Sequence, residues 1–383
     1  MASPIITSLI DEDLYKITQQ QAVFHQYPDA CARYEFRCRD PEQSVQLGAL
    51  ADELREQIKA LGSLRIADGE VDYLKTLGIF RDDYLDFLRS FTLNPSNVFI
   101  PERKDGQLEL EIEGPWVNTI LFEVKLLAII SELYFKEYST ELYEDGEKRL
   151  LEKIPTLREL KLLEFGTRRR FSRDWQHNYV FPILAKHMPI KTSNIKIAMD
   201  NNIEPVGTMA HEWISAHLGF APIMEAQRKA LYTWLMEYRG KLGVALTDTF
   251  TTTAFFQDFD PFLANAYSGI RQDSGDPLEF GNKAIAHYEG MGIDPKTKTL
   301  IFSDGLNPHK ALQIQQHFEG RINVAFGIGT NLTNDLGPKA LNIVIKLTEM
   351  EDYLVCKISD TPSKAIGEKY VIEEILEGYG VQA

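Results

Sequence analysis

The sequence predicts an α/β protein in which parallel strands alternate with helices, joined to a second region of α+β character. Between residues 205 and 326, short apolar runs begin every 23 to 38 residues, and each is followed by a small or polar turn and a helical pattern. This spacing is typical of βα units, in which a helix crosses over between two parallel strands. The first 150 residues instead mix helical stretches with runs that alternate apolar and polar side chains, as half-buried strands do.

Length and composition restrict the class of protein. The chain has 383 residues, which is enough for two domains or for one large barrel with an appendage. Apolar residues make up 44% and charged residues 25%, which excludes extensive disorder, collagen-like repeats and a disulfide scaffold. The net charge of −15 argues against a nucleic-acid partner, although it permits a local basic pocket for a phosphorylated small molecule.

The cysteines and the apolar segments predict a cytoplasmic protein. Three cysteines without CxxC spacing indicate a reducing compartment and no structural zinc. The first 16 residues acquire three acidic side chains before any long apolar core develops, which is unlike a signal peptide. The most apolar window, residues 116–135, contains three charged side chains and therefore predicts a buried helix, with no membrane span.

The elements near the two ends of the chain follow from local patterns. Apolar positions at helical spacing predict helices over residues 48–61, 71–77 and 82–91. Alternating side chains predict strands over residues 32–38 and 107–113. Two apolar runs near the end, residues 343–347 and 353–358, flank a short polar turn and predict a β-hairpin.

The middle of the chain supplies the parallel strands. They are predicted at residues 162–165, 205–209, 243–246, 266–270, 299–302 and 322–326. Six or seven βα units either close into a barrel or form an open doubly wound sheet, and periodicity does not distinguish the two. In both folds, reactive residues gather where the strands end. The segments after these strands are rich in cations, carboxylates and glycine turns, which suits a metal-bound, phosphorylated substrate.

Residues 326–330, Phe-Gly-Ile-Gly-Thr, follow a late predicted strand. Glycines allow backbone N–H groups to approach phosphate oxygens, and Thr330 adds a hydroxyl donor. The alternative is a tight strand-to-helix turn that binds no ligand. The position after a late strand, where barrels often bind phosphate, favours phosphate binding.

Residues 271–277, Arg-Gln-Asp-Ser-Gly-Asp-Pro, place two carboxylates on a turn that opens a helix. The carboxylates suit ribose hydroxyls or Mg²⁺, while Arg271 suits an anion. Alternatively, Asp273 or Ser274 caps the helix, with Pro277 in its first turn. The two interpretations are compatible, and Asp304 with Gly305 repeats the pattern after the next strand.

Three consecutive arginines, Arg168, Arg169 and Arg170, follow a strand end in this acidic protein. They cannot all face one way. We expect one or two of them at an anion and the remainder in ion pairs, with a wholly structural role as the alternative.

His211 precedes a predicted helix and is followed by Glu212. A neighbouring carboxylate fixes the tautomer of an imidazole and raises its basicity. Such an imidazole can act as a base, a metal ligand or a phosphoryl acceptor. Residue chemistry does not choose among these roles, and a structural histidine is the alternative to all three.

Eight motifs give the chain a resemblance to the nicotinate phosphoribosyltransferases, a family of type II phosphoribosyltransferases. Any one of them is modest, whereas eight in the family's order are specific, and together they extend over nearly the whole chain. The motifs are DLYKIT (13–18), EFGTRRR (164–170), GTMAHEW (207–213), LTDTF (246–250), RQDSGDP (271–277), FSDGLN (302–307), FGIGTNLTND (326–335) and LNIVIKL (341–347).

The resemblance implies a fold and an assembly. The implied fold is an irregular parallel α/β barrel of about seven strands, TIM-like, over residues 151–344. An α+β domain built from both chain ends, residues 1–150 and 345–383, accompanies it. Such proteins are commonly homodimers whose active sites take residues from both subunits.

The resemblance also implies a reaction in NAD biosynthesis and salvage. Nicotinate and 5-phosphoribosyl-1-pyrophosphate would give nicotinate mononucleotide and pyrophosphate. ATP is the implied co-substrate, hydrolysed through a phosphorylated His211. Mg²⁺ is the implied cofactor, bound through the substrate pyrophosphate, with Asp273 as the candidate protein ligand.

The same motifs imply the roles of individual residues. The implied catalytic residues are His211, Asp273 and Asp248. The implied nicotinate-binding residues are Tyr15 (reaching from a neighbouring subunit), Phe165, Thr208, Arg271 and Arg168. The implied phosphoribosyl- and phosphate-binding residues are Asp304, Gly305, Gly327, Gly329 and Thr330. From residue type alone, Tyr15 and Phe165 also suit an apolar core, and Asp248 also suits a turn cap.

Three other functions are weighed against this one. A nicotinamide phosphoribosyltransferase is expected to carry an added aspartate near the base, and residues 191–194, Lys-Thr-Ser-Asn, contain no acid. A non-catalytic ligand-binding paralogue would have lost part of the set His211, Arg271, Asp273 and 327–330, which is intact. An aldolase or glycosidase barrel would need a Schiff-base lysine or a carboxylate pair at strand ends, whereas the acids here accompany arginines.

Overall fold

The computed structural model describes residues 3–102, 105–136 and 142–381. Its strands are β1 Cys31–Cys38, β2 Val98–Phe99, β3 Glu111–Pro115, β4 Leu162–Glu164, β5 Lys191–Thr192, β6 Val244–Leu246, β7 Gly269–Gln272, β8 Thr299–Phe302, β9 Asn323–Ile328, β10 Ile343–Met350 and β11 Tyr353–Leu354. One sheet has the strand order β11-β10-β1-β3-β2 and the other the order β5-β4-β9-β8-β7-β6. The predicted α/β class is confirmed, with six strands in the parallel sheet where about seven were expected.

Helices separate most of these strands along the chain. They are α1 Leu14–Gln26, α2 Pro41–Gly48, α3 Ala51–Leu61, α4 Asp68–Thr76, α5 Asp82–Ser90, α6 Trp116–Thr119, α7 Phe122–Phe135, α8 Leu142–Leu157, α9 Phe181–His187, α10 Ile195–Asp200, α11 His211–Ala216, α12 Ile223–Tyr238, α13 Thr252–Asp258, α14 Pro261–Ala266, α15 Pro277–Gly290, α16 Pro308–Phe318, α17 Thr330–Thr333 and α18 Lys369–Gly378. A π-helix covers Trp175–Val180.

The chain divides into two compact units. The first unit contains Met1–Arg158, Leu163–Gly207 and Ile328–Lys346, and the second contains Glu159–Leu162, Thr208–Gly327 and Leu347–Ala383. These units group residues 163–207 with the N-terminal part of the chain, unlike the predicted domains. The compact units are defined by contacts within the chain, whereas the predicted domains were defined by type of fold, so the predicted domain boundaries stay a prediction.

The first unit is built around a buried helix and an antiparallel strand pair. In β1, alternate side chains are buried, as its sequence predicts, and it pairs with β3 from Cys31 opposite Pro115 to Glu35 opposite Glu111. Helix α7 carries the apolar run of the predicted buried helix, and nearly all of its side chains are buried. Among the described residues, no helix is long and apolar enough to cross a membrane.

The second unit contains consecutive parallel strands from β6 to β9. Residue 269 of β7 lies opposite residue 244 of β6 and residue 299 of β8, and the register continues to β9. These short strands are largely buried, and β6 and β8 are mainly apolar, as is typical of strands covered on both faces. Because parallel strands share one direction, the segments that follow β6, β7 and β8 leave the sheet at the same edge.

Two details of the predicted strands are corrected. Residues 205–209 do not form a strand: Pro205 has no N–H to donate, and Gly207 has φ of 152°, outside the strand region. The strand in this part of the chain is β5, only two residues long. The strand predicted at 266–270 lies at Gly269–Gln272, because Pro261–Ala266 is helical.

The predicted hairpin near the end of the chain is confirmed, although its second strand ends at Leu354 and not at residue 358. Strands β10 and β11 pair antiparallel, with Met350 opposite Tyr353. The two residues between them, Glu351 and Asp352, have φ of 50° and 62°. Positive φ at both positions is the geometry of a type I′ turn, whose twist matches that of the flanking strands.

Candidate active site

Three carboxylates of the second unit follow three neighbouring parallel strands. Asp248 comes two residues after β6, Asp273 directly after β7 and Asp304 two residues after β8. His211 is the first residue of α11. The placement of carboxylates after strand ends, expected from sequence, is thus observed for all three.

His211 and Asp248 form a buried pair. Nε2 of His211 lies 2.9 Å from Oδ1 of Asp248, and both side chains are at least nine-tenths buried. An ionised carboxylate only accepts hydrogen bonds, so Nε2 carries the proton and donates it. Nδ1 is then the ring nitrogen with the free lone pair, and it has no hydrogen-bond partner among the described residues.

The charges around this pair fix its protonation state. Burial, aided by the cation of Lys357, lowers the pKa of His211 to about 4 although Asp248 opposes the shift. Burial would raise the pKa of Asp248, but His211 and Lys357 hold it well below its ordinary value. At neutral pH the pair is therefore a neutral imidazole beside an ionised carboxylate.

Asp273 adds a second carboxylate to the cluster. Its Oδ2 lies 3.7 Å from His211 Nε2 and 3.9 Å from Arg271, while its Oδ1 accepts a hydrogen bond from Ser303 at 3.0 Å. Burial would raise the pKa of Asp273, but Arg271 and His211 lower it. Nε of Arg271 is buried and has no hydrogen-bond partner among the described residues, so this guanidinium retains donor capacity for an anion.

The helix caps proposed as alternatives for these carboxylates lie elsewhere. Helix α15 is capped by Asp276, which accepts from the backbone N–H groups of residues 278 and 279, and not by Asp273 or Ser274. Helix α13 is capped by Thr251, and not by Asp248. Asp248 and Asp273 are therefore not occupied as helix caps.

A segment that sequence reasoning left without a role also reaches the cluster. It covers residues 356–364 and is called the tail segment below. Lys357 lies 3.4 Å from Asp248 Oδ2, and Lys364 forms an ion pair with Asp304. The sequence shows only a lysine-containing stretch here, with no local pattern that indicates which carboxylates the lysines contact.

The residues Tyr15, Phe165 and Arg168 belong to the first unit. Arg168 lies 3.6 Å from the buried carboxylate Glu123, which also contacts Lys16 and Lys346. Burial and the charge of Glu123 raise the pKa of the Tyr15 phenol, so Tyr15 is near the same carboxylate and neutral. Phe165 is half-buried, so it is not a core residue. Their nicotinate-binding roles stay predictions.

Arg170 confirms that part of the arginine run forms ion pairs. Its two terminal nitrogens each lie 2.9 Å from an oxygen of Asp11, in a bidentate contact that is fully buried. Asn194 also donates to Asp11, and His177 lies 3.3 Å from it. This network holds the N-terminal segment in the first unit.

The predicted phosphate-binding glycines lie at turns and in a strand. Gly327 is buried inside β9, Gly305 has φ of 54°, and Thr330 begins α17. A Cβ on Gly329 would lie 2.9 Å from the carbonyl oxygen of Phe165, so close packing alone requires glycine there. Thr208 is half-buried in the loop before α11. The ligand-binding roles of these residues stay predictions.

One group of described side chains could hold a metal ion. The ligand atoms of His211, Asp248 and Asp273 all lie within 4.8 Å of one another. Two of the three are carboxylates, which Mg²⁺ prefers, and Asp273 is the more exposed of these two. The donor set therefore fits an oxygen-bound cation at Asp273 better than at the imidazole.

Family models match most of the chain. The model described as the nicotinate phosphoribosyltransferase family matches residues 160–382, and the model of the N-terminal domain of that family matches residues 10–131. A nicotinate phosphoribosyltransferase of Yersinia enterocolitica is 47% identical, over 99% of this chain and 97% of its own. One of Erwinia tasmaniensis is 48% identical, over 95% and 93% of the two chains.

Solved structures agree with these sequence matches. A nicotinate phosphoribosyltransferase from Vibrio cholerae has a TM-score of 0.93 and 38% identity, covering 100% of this chain and 96% of its own. A structure from Saccharomyces cerevisiae titled as a putative nicotinate phosphoribosyltransferase has a TM-score of 0.91 and 33% identity, with full coverage of both chains. The chain therefore belongs to the nicotinate phosphoribosyltransferase family of enzymes.

Proposed function

We propose that this chain joins nicotinate to 5-phosphoribosyl-1-pyrophosphate, releasing nicotinate mononucleotide and pyrophosphate, and that ATP hydrolysis drives the reaction through phosphorylated His211. Family membership supports the transferase reaction. The observation that carries the coupling is the pair of His211 and Asp248, in which a neutral imidazole offers Nδ1 as a nucleophile.

The phosphorylation step balances with the groups present. Nδ1 attacks the γ-phosphorus of ATP, an N–P bond forms, the bond from phosphorus to the bridging oxygen breaks, and ADP leaves. The proton on Nε2 stays in place, and the ring gains a positive charge that the ionised Asp248 stabilises at 2.9 Å. Water later takes the phosphoryl group, which releases phosphate and restores the neutral imidazole.

The transferase step uses the carboxylates beside this pair. The ring nitrogen of nicotinate attacks C1 of the ribose while the bond to pyrophosphate breaks, through a centre with oxocarbenium character. In this proposal Asp273, which lies beside Arg271, stabilises that positive charge, and the buried Nε of Arg271 donates to an anionic substrate group. Mg²⁺, held by Asp273 and the substrate pyrophosphate, would neutralise charge on the leaving group.

The first test measures pyrophosphate release from nicotinate and 5-phosphoribosyl-1-pyrophosphate with and without ATP. We expect ATP to stimulate release in the wild type, and His211→Ala to abolish the stimulation. His309→Ala, which changes a histidine on helix α16, is the matched control and should behave as the wild type. If pyrophosphate release is the same with and without ATP, and the same in the wild type and His211→Ala, the proposed transferase reaction stands and its proposed coupling to ATP hydrolysis is contradicted.

We also propose that the active form is a homodimer in which Tyr15 serves the site of the neighbouring subunit. The resemblance to the family supports this arrangement. Mixing Tyr15→Ala with His211→Ala subunits would then restore ATP-stimulated pyrophosphate release, because some sites in mixed dimers combine an intact Tyr15 with an intact His211. No recovery after verified subunit exchange contradicts the shared site.

Nicotinamide is the alternative base. Residues 191–194 contain no acid, but Ser193 donates a hydrogen bond to Asp13 at 2.7 Å, which places a carboxylate beside that segment. Comparing kcat/KM for nicotinate and nicotinamide decides between the two substrates. We expect nicotinate to be preferred, because Arg271 and Arg168 suit its carboxylate.

We further propose a cytoplasmic location, which the three free cysteines support.

A further inference from the structure

The second oxygen of Asp248 contacts a cation from a distant part of the chain. While Oδ1 faces His211, Oδ2 lies 3.4 Å from the ammonium of Lys357. Ser274 donates a hydrogen bond to the same Oδ2 at 2.6 Å, and Ser359 at 3.4 Å. One cation and two hydroxyls therefore fix Oδ2 and direct Oδ1 at the imidazole.

Lys357 is held by its backbone before any substrate binds. Its N–H and C=O both bond to Ile366 at 2.8 Å, and the next residue, Ile358, donates to the carbonyl of Thr249 at 2.7 Å. The preceding carbonyl, of Cys356, accepts from Ser215 at 2.8 Å. Only 10% of the Lys357 side chain is exposed. The ordering of this lysine is thus achieved during folding and not during the reaction.

The charge of the cluster accounts for a buried cation at this position. His211 has two carboxylates within 4 Å, Asp248 and Asp273. A phosphoryl group on His211 would add about 1.5 to 2 further negative charges. Each carboxylate has its own cation: Arg271 lies beside Asp273, and Lys357 lies beside Asp248. Without Lys357, Asp248 would be left as a buried charge with no cation beside it, a state that proteins relieve by protonation or rearrangement.

We propose that Lys357 is a positioning residue for the phosphorylation of His211. Its ammonium, 3.4 Å from Oδ2, keeps Asp248 turned so that Oδ1 accepts the hydrogen bond from Nε2 of His211, which leaves the lone pair on Nδ1. In the step it supports, the Nδ1–P bond forms, the bond from the γ-phosphorus to the bridging oxygen breaks, ADP leaves and no proton moves. This inference rests on the proposed function, because it concerns the phosphorylated intermediate.

The test measures the rate at which ³²P from γ-labelled ATP becomes bound to the full-length protein. Lys357→Met removes the charge with little change in length, Lys357→Arg keeps it, and Lys369→Met makes the same charge change on an exposed lysine of α18. We expect Lys357→Met to slow labelling about 10- to 100-fold, the range for loss of a supporting partner. Lys357→Arg should recover most of that rate, and Lys369→Met should equal the wild type.

A second measurement separates positioning from a general loss of structure. The ¹⁵N shifts of His211 report its tautomer, and Lys357→Met should lose the form with the proton on Nε2. Equal labelling in the wild type and Lys357→Met, or an unchanged tautomer, overturns the inference. If Lys357→Met does not fold, Lys357→Gln is measured against Lys357→Arg with the same two criteria.

The outcomes distinguish this inference from the proposal beneath it. A wild type that forms no acid-labile phosphoenzyme contradicts both. A wild type that is labelled on His211, together with an unaffected Lys357→Met, contradicts only the role of Lys357.

Discussion

Asp248 holds His211 through Nε2 at 2.9 Å, so the nitrogen that points away from the carboxylate is Nδ1. The contact joins residues 37 positions apart, one after strand β6 and one at the start of helix α11. The contact holds the imidazole in one tautomer and one orientation, so the lone pair lies on a defined nitrogen and points in a defined direction, as a nucleophile requires.

Asp248→Asn is expected to slow phosphorylation of His211 by at least about 100-fold, because the amide can donate to Nε2 and stabilise the wrong tautomer. Labelling with γ-³²P-ATP measures the rate. Ser274→Ala removes one of the hydrogen bonds that fix Oδ2 of Asp248 but leaves the carboxylate, so its loss should be clearly smaller. Comparable losses in both variants would show that the tautomer is not the important property.

Arg170→Met is expected to lower the free energy of unfolding by about 3 to 5 kcal/mol, because it leaves Asp11 as a buried charge without its bidentate partner. Urea unfolding measures the change. Arg33→Met, which breaks a partly exposed pair with Glu111, should cost less than about 1 kcal/mol. A loss below about 1 kcal/mol for Arg170→Met would mean that the other donors to Asp11 stabilise its buried carboxylate without Arg170.

His217 should make the protein less stable in acid. It is fully buried, its Nδ1 donates to the carbonyl of Trp213 at 2.7 Å, and burial lowers its pKa to about 3. In the unfolded chain the histidine has a pKa of about 6.5, so below this pH the unfolded state binds a proton that the folded state does not bind. The contribution of His217 to stability is therefore full above pH 6.5 and is lost as the pH falls towards 3, by up to about 5 kcal/mol.

Unfolding free energies of the wild type and His217→Asn between pH 7.5 and 4.5 test this expectation. Asparagine keeps a donor near the position of Nδ1 and does not titrate in this range. The stability of the variant should fall less steeply with acid than that of the wild type. Identical slopes would assign the acid sensitivity to other groups, of which His211 is the first to examine.

The turn between β10 and β11 should accept a stabilising change. Glu351 and Asp352 both have positive φ, which is unfavourable for most side chains. Replacing them by Asn and Gly, the pair preferred in a type I′ turn, should stabilise the protein by about 0.5 to 1 kcal/mol. Thermal unfolding measures the gain, and Asp352→Ala should show none. A lower melting temperature for the Asn-Gly variant contradicts the turn assignment.

Much of the fold is encoded locally and was predictable from sequence. Strand β8 coincides with its predicted range, residues 299–302, because a run of four apolar or β-branched residues is bounded by turn residues on both sides. Strand β5 was not predicted, because two residues carry no period. The apolar composition of residues 205–209 predicted a strand at that position instead, but Pro205 and the positive φ of Gly207 prevent one there.

The site was predictable only in part for a related reason. Residues that follow neighbouring parallel strands lie at the same edge of the sheet, so the placement of Asp248, Asp273 and Asp304 at that edge was predictable from sequence. Lys357 and Lys364 of the tail segment contact Asp248 and Asp304 respectively, and no spacing rule relates these lysines to the carboxylates. The choice of Asp276 over Asp273 as helix cap likewise depends on where α15 begins, which sequence patterns locate only to within a few residues.

The tail segment makes completion of the site a late event in synthesis. Ser359 lies 111 residues after Asp248, its hydrogen-bond partner. At 5 to 20 residues per second, a ribosome needs roughly 5 to 20 seconds to make that stretch. During this interval the nascent chain carries His211 and Asp248 without Lys357 beside them. Until residues 357–364 have been translated, the nascent chain lacks the two lysines that this segment places beside Asp248 and Asp304.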